Sequence, residues 1–180
     1  MSDFKPAVDN LIRLEGGYAE PPAVEQPTKY GITQTDWNYW LSKETATLVV
    51  GWPIDVANIT TAHAEDYMLN EWWNKAPFES INDQDLCTYI FQTCFLSGMD
   101  TGIKLVQQAA QLLGSANINV DGVLGTLTLY FVNNAFDKPV AILQAMRVVT
   151  ARHYLGIVQK NSAKAKYLAG WMDRALNGIS

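Results

Sequence analysis

The sequence is poor in the residues that carry metal, redox and disulfide chemistry: it has two cysteines and two histidines in 180 residues. Cys87 and Cys94 fall in one predicted helix, where the rise separates them by about 10 Å, too far for a disulfide. They read as two buried free thiols. His63 and His153 stand alone, without Cys or His at zinc-binding spacing, so neither reads as a metal ligand. Positive charge is also scarce, with 13 Lys and Arg against 18 Asp and Glu and a formal charge of −5. That balance argues against a broad nucleic-acid surface, which needs clustered cations. Any anionic partner has to be recognised in a local groove rather than through net charge. No apolar run reaches the roughly 18 residues of a membrane span. The opening Met1-Ser2-Asp3-Phe4-Lys5-Pro6 lacks the apolar stretch and small-residue cleavage site of a signal peptide, so synthesis in the cytoplasm is expected.

Hydrophobic residues make up 48% of the chain, enough for a packed core and too many for wholesale disorder. The length suits one compact domain or two small lobes. Six Trp and eight Tyr are core material that also stacks on sugar rings, and most are expected in the core.

The hydrophobic periodicity is mostly helical. Asp3 and Pro6 suit the start of a first helix, with Phe4, Val8, Leu11 and Ile12 on one face and Gly16-Gly17 as its stop. Pro21, Pro22 and Pro27 exclude helix from residues 18–29. Lys29 to Thr33 reads as a short strand or turn. A small irregular or β-hairpin lobe near residues 18–33 is therefore the expected non-helical part. Further helices are predicted at 35–42, 61–73, from near Asn82, at 103–113, 138–159 and 162–177. Gly98 and Gly102 leave the extent of the fourth helix open, and residues 51–60 read as a connection. Residues 117–126 form a turn-rich loop closed by Thr126 as an N-cap. There Gly122 and Gly125 permit positive φ and Asp121 bonds its own turn; calcium binding is a conceivable but weak alternative, since few acidic oxygens cluster there. Trp171 and Arg174, three apart, are expected to hold the last helix to the body.

Glu15 closes the apolar stripe of the first helix, where a Leu would be expected. A partly buried carboxyl there would favour its protonated form, the property of a general acid near neutral pH. Spacing alone favours the plainer reading, a side chain reaching solvent at a fraying helix end. Glycoside hydrolysis usually needs a second carboxylate across the bond. Glu20 and Glu25 follow in the Pro-rich loop, and either can face Glu15 or stand as a solvated charge. Thr28 is suited to orient a water, since a hydroxyl both donates and accepts.

Here a pattern emerges. Leu14-Glu15-Gly16-Gly17-Tyr18, a short polar loop and Thr28-Lys29-Tyr30-Gly31-Ile32-Thr33 resemble the signature of glycoside hydrolase family 108. Val120-Asp121-Gly122-Val123-Leu124-Gly125-Thr126, with Thr128 and Leu129, and Tyr167-Leu168-Ala169-Gly170-Trp171-Met172-Asp173-Arg174 resemble that family's type 3 peptidoglycan-binding half. In order and at family-like spacing, these pieces span about residues 5–177. The resemblance implies a mainly α-helical, lysozyme-like fold and an N-acetylmuramidase that hydrolyses the β-1,4 bond between N-acetylmuramic acid and N-acetylglucosamine. It implies Glu15 as the catalytic Glu. The sequence departs from the family in the loop: Asp-Pro-Gly-Gly is absent, and Val24-Glu25-Gln26-Pro27 stands in its place, about one residue shorter. The family Asp falls at Val24 or Glu25, and Glu25 is the expected second acid, on a stiffer loop.

The expected enzyme thus has an N-terminal catalytic part (1–90) and a C-terminal helical peptidoglycan-binding part (91–180), packed as one unit. Glu15, Glu25 and Thr28 are the catalytic candidates. Glu20, Tyr30, Gln34 and Trp37 are the substrate-binding candidates, with core packing an even alternative for Tyr30 and the favoured one for Trp37. No metal or organic cofactor is expected. The expected partners are peptidoglycan glycan strands, with a holin or export system giving access to the wall, in a phage endolysin or a secretion-associated muramidase. Three other readings stay open: a lytic transglycosylase using Glu15 alone, a non-catalytic wall-binding protein, and a secretion-partner protein whose helices serve as a docking surface.

Overall fold

The computed structural model describes residues 1–21, 23–43, 51–115, 117–134 and 139–178; Pro22 and the predicted helix start at 138 lie outside them. The mainly α-helical class read from the sequence is the one observed, with a single small antiparallel sheet among the described residues. The chain divides into two compact units, Val8–Ala76, and Met1–Ala7 with Pro77–Ser180.

Helix α1 runs Phe4–Glu15, and its stretch from Val8 belongs to the first of these units. Val8 and Leu11 are fully buried, as the stripe requires. The helix ends where Gly16 enters the left-handed region at φ 68° and donates its N–H to the Ile12 carbonyl at 3.1 Å, a conformation that costs glycine little.

Strands β1 (Tyr18–Ala19), β2 (Thr28–Lys29) and β3 (Ile32–Thr33) follow, in sheet order β1-β2-β3. Ala19 pairs with Thr28, and Lys29 with Ile32. The two-residue turn between β2 and β3 has φ 53° at Tyr30 and 75° at Gly31. Two consecutive positive values define the mirror-image hairpin turn whose twist matches the strands. This turn is the structural content of the Tyr30-Gly31-Ile32-Thr33 motif.

Helix α2 (Gln34–Leu41) begins one residue earlier than the pattern predicts because Thr33 caps it, its hydroxyl accepting from the Asp36 N–H. A short 3-10 turn at Val56–Asn58 lies inside the predicted connection. Helix α3 (Thr61–Glu71) carries a capping box in which His63 Nδ1 accepts from the Thr60 N–H at 3.0 Å. It stops short of Trp73, which opens a separate 3-10 turn. The core of this unit is aromatic. Trp37 lies 5.2 Å from Trp40 and 5.5 Å from Trp52 by ring centroids, with Tyr67 at 6.2 Å. An ion pair between Lys43 and Glu71 links the end of α2 to α3.

In the other unit, α4 (Gln84–Ser97) is capped by Asp83 and buried continuously from Leu86 to Phe95. A helix with no exposed face over ten residues, its polar Thr88, Gln92 and Thr93 included, must be central. Gly98, at φ 87°, is the joint to α5 (Met99–Leu112). A Cβ on Gly102 would come within 2.5 Å of the Cys94 Cα, so the two backbones meet there. These glycines therefore break and pack the pair, and α5 begins earlier than 103. Cys87 and Cys94 are buried free thiols of α4. The N-terminal residues join this unit: the Ser2 hydroxyl donates to the Ile81 carbonyl at 2.7 Å, and Phe4 meets Phe91 edge-on.

Helix α6 (Thr126–Asn134) starts at Thr126 itself rather than after it. Helix α7 (Pro139–Lys160) is followed by a 3-10 stretch, Ser162–Tyr167, and by α8 (Leu168–Asn177). The Tyr89 hydroxyl donates to the Ala175 carbonyl at 2.7 Å, and Trp171 packs 5.4 Å from the Tyr154 ring, tying α8 to α4 and α7. The loop before α6 hangs on buried Gln107 of α5. Its Nε2 donates to Asp121 Oδ1 at 2.7 Å and to the Val123 carbonyl at 3.1 Å, and its Oε1 accepts from the Gly122 N–H at 2.9 Å. Asp121 also accepts from the Val123 N–H at 2.9 Å. Among the described residues no cluster of acidic, His or Cys side chains is arranged to hold a metal ion.

Candidate active site

Glu15 is the last residue of α1, immediately before the left-handed Gly16. Its side chain is half-buried, and Oε1 is out of contact with solvent. The carboxyl thus sits at the carbonyl end of a helix dipole, a position of negative potential. Three residues later the chain enters β1, so Glu15 and the three-stranded sheet are joined by the shortest of connections.

The β1–β2 connection carries the other two carboxylates. Glu20 is exposed, and its Oε2 accepts from the Tyr18 hydroxyl at 3.1 Å. That bond adds to desolvation, the leading cause, in pushing the Tyr18 phenol upward. Glu25 is exposed on the bend preceding Gln26. Gln26 is pinned: its Oε1 accepts from the Thr35 hydroxyl at 2.7 Å, and the Pro27 carbonyl accepts from the Gln34 N–H at 2.9 Å. Two bonds to the first turn of α2 therefore fix the base of the loop beside Glu25. Thr28, half-buried in β2, donates its hydroxyl proton to the Gln26 carbonyl at 2.9 Å, which leaves its oxygen as an acceptor.

The four substrate-binding candidates part company here. Tyr30 is half-buried at the hairpin tip in a left-handed conformation that few non-glycine residues adopt, with Lys29 Nζ 5.5 Å from its ring centre. Glu20 is accessible on the same sheet's connection. Gln34 is a staple: Nε2 donates to the Ile54 carbonyl at 2.9 Å and to Asn38 Oδ1 at 2.8 Å, and Oε1 accepts from the Val56 N–H at 2.8 Å. Both amide ends are committed to holding residues 54–56 against α2. Trp37 takes the core position favoured for it over sugar binding: it is 0% exposed and its indole N–H donates to the Pro53 carbonyl at 2.7 Å. A ring with no exposed face cannot stack on a sugar.

Two contributors were not read from the sequence. Gln26, next to Pro27, anchors the loop, and Lys29 Nζ donates to the Ala57 carbonyl at 2.8 Å, fastening β2 to the 3-10 turn. The signal available for Gln26 was a lone amide between a carboxylate and a proline, which is too common to single out.

Residues 8–98, half of the chain, match the family model described as glycosyl hydrolase 108. The chain belongs to the glycosyl hydrolase 108 family. Residues 101–176 match a second model, described as a predicted peptidoglycan domain. Among solved structures, that of SagA from Brucella abortus superposes with a TM-score of 0.69 at 20% identity, covering 96% of this chain and 93% of that one. At that identity the likeness establishes the fold. No curated protein matches the chain. The two matches follow the order read from the motifs, hydrolase half first and peptidoglycan half second. As a glycosyl hydrolase 108 member with a peptidoglycan domain, the protein is a peptidoglycan hydrolase of the glycosidase class. No described helix is long and apolar enough to cross a membrane.

Proposed function

We propose that the protein is an N-acetylmuramidase, hydrolysing the β-1,4 bond between N-acetylmuramic acid and N-acetylglucosamine, with Glu15 as its general acid. The observation that carries this reading is the placement of the Glu15 carboxyl, with Oε1 buried at the end of α1 directly before the sheet. Such surroundings suit a carboxyl that delivers its proton to the leaving glycosidic oxygen. Glu25 would activate water or stabilise the oxocarbenium-like transition state, and Thr28 would place that water through its free lone pairs. Pinning of Gln26 supports Glu25 over Glu20, because a catalytic carboxylate profits from a fixed loop base. Tyr30 and Glu20 would contact the sugar. The protein would act on the wall as a phage endolysin or a secretion-associated muramidase, reaching it through a holin or an export system.

Release of muropeptides from purified peptidoglycan tests this. Glu15→Gln should lower release at least a hundredfold with the melting temperature within about 1 °C of the parent. Glu25→Gln should cost at least tenfold and Glu20→Gln less. Full activity in Glu15→Gln refutes the assignment; a larger loss in Glu20→Gln than in Glu25→Gln transfers the second role. Mass spectrometry of the products should show reducing ends, whereas anhydro ends would make the protein a lytic transglycosylase.

A further inference from the structure

The peptidoglycan-domain half contains a groove that the reaction above does not use. It runs open to solvent between α5 and α7 and has a volume of about 720 Å³, within the range of small-ligand sites. Its α5 wall extends from Asp100 to Leu112, a length of about 18 Å at the helical rise. The floor is apolar, made by Leu105 and Val149, both buried. The rim is polar and carries Lys104, Gln108, Arg152 and His153.

Three features narrow what fits. First, no Trp, Tyr or Phe lines the groove, so it lacks the flat rings on which sugars stack. Second, its charges are uneven. Lys104 Nζ is paired with Asp100 Oδ2 at 2.8 Å, whereas exposed Arg152 has no carboxylate partner among the described residues. An unmatched guanidinium fork beside a sheltered apolar floor, in a chain of net charge −5, is suited to bidentate capture of a carboxylate. Third, the amide of Gln108 and the imidazole of His153 supply donors and acceptors for a peptide backbone. Burial, with Lys160 as a smaller influence, holds His153 below its ordinary value, which keeps the ring neutral near pH 7.

We propose that the α5–α7 groove binds the peptide stem of peptidoglycan rather than its glycan, with Arg152 taking a stem carboxylate. Small apolar side chains of the stem lie on Leu105 and Val149, and its amides meet Gln108 and His153. An extended chain of about five residues matches the length of the groove. The inference rests on the peptidoglycan reading above, and it assigns that polymer's two chemistries to separate places: sugars to the α1–sheet region, peptide to α5 and α7.

The test titrates a free tetrapeptide stem, without sugars, into the full-length protein by calorimetry. The parent should bind saturably. Arg152→Gln should raise the dissociation constant at least tenfold, Arg152→Lys should fall between the two, and Gln108→Trp, which fills the groove from an exposed position, should abolish the heat signal. A stem with its carboxylates amidated should bind at least tenfold more weakly than the free acid. Absence of binding by the parent, equal binding by Arg152→Gln, or equal binding of the amidated stem overturns the proposal. A parallel digest of peptide-free glycan strands by the parent reports on the muramidase reading alone, so that failure of one does not imply failure of the other.

Discussion

Gln107→Ala asks whether one buried amide organises the loop that precedes α6. Gln107 is 1% exposed. The substitution removes its bonds to the Val123 carbonyl and the Gly122 N–H, at 3.1 and 2.9 Å. Two neutral, part-buried hydrogen bonds at about 1 kcal/mol each make roughly 2 kcal/mol, with nothing added for the links to Asp121 and Thr128. In a chain of this size, that corresponds to a fall in melting temperature of roughly 4–8 °C, read by circular dichroism at pH 7. The same amide is the first cause holding the Asp121 carboxyl below the usual range, followed by the Val123 N–H. A carboxylate with a depressed folded value adds stability above its unfolded value, about 3.9, and loses it as pH falls through the folded one. The parent should therefore lose more stability than the variant between pH 5 and pH 2, and the gap in melting temperature should narrow. A fall of less than about 1 °C at pH 7, or a gap that widens on acidification, would refute the role given to Gln107.

Two further outcomes follow from the geometry. Tyr30→Asn should raise the melting temperature by roughly 2 °C, because Asn tolerates the left-handed hairpin position that costs a tyrosine about 1 kcal/mol. It should also slow muropeptide release if the ring meets sugar; a stabilised variant with unchanged release would leave Tyr30 a purely architectural residue. Burial pushes the Cys87 thiol up to about 12 and raises Cys94 as well. Neither should react with a disulfide reagent at pH 8 in the native protein, while both should react after denaturation. Rapid labelling of the folded chain would contradict that burial.

The legible parts of the fold were those governed by periodicity and by glycine or proline. The stripe from Phe4 to Leu11, the stop at Gly16 and the non-helical lobe after it were all readable, since each follows from local rules. The joint at Gly98 was only half legible: a glycine announces a break, but that α5 resumes at once depends on Gly102 meeting the Cys94 backbone. Helix ends at Thr33, Asp83 and Thr126 moved by a residue or so, as cap geometry decides them. At the site, Glu15 and the hairpin motif stood out because they occupy conspicuous positions, a carboxyl on an apolar stripe and a glycine in a tight turn. Trp37 leaned to the core without being fixed there and Gln34 gave no sign of its staple role, because burial and partner choice are tertiary facts that neighbouring sequence does not encode. The groove of Lys104, Gln108 and Arg152 was invisible, since its two walls lie some forty residues apart in the chain.

The seven-residue separation of Cys87 and Cys94 on α4, both shielded and neither able to reach the other, has a bearing on the redox conditions the fold tolerates. A fold with no cross-link to make or lose is indifferent to whether its surroundings are reducing or oxidising. Reaching the native state therefore needs no disulfide isomerase and no reductant in either kind of compartment.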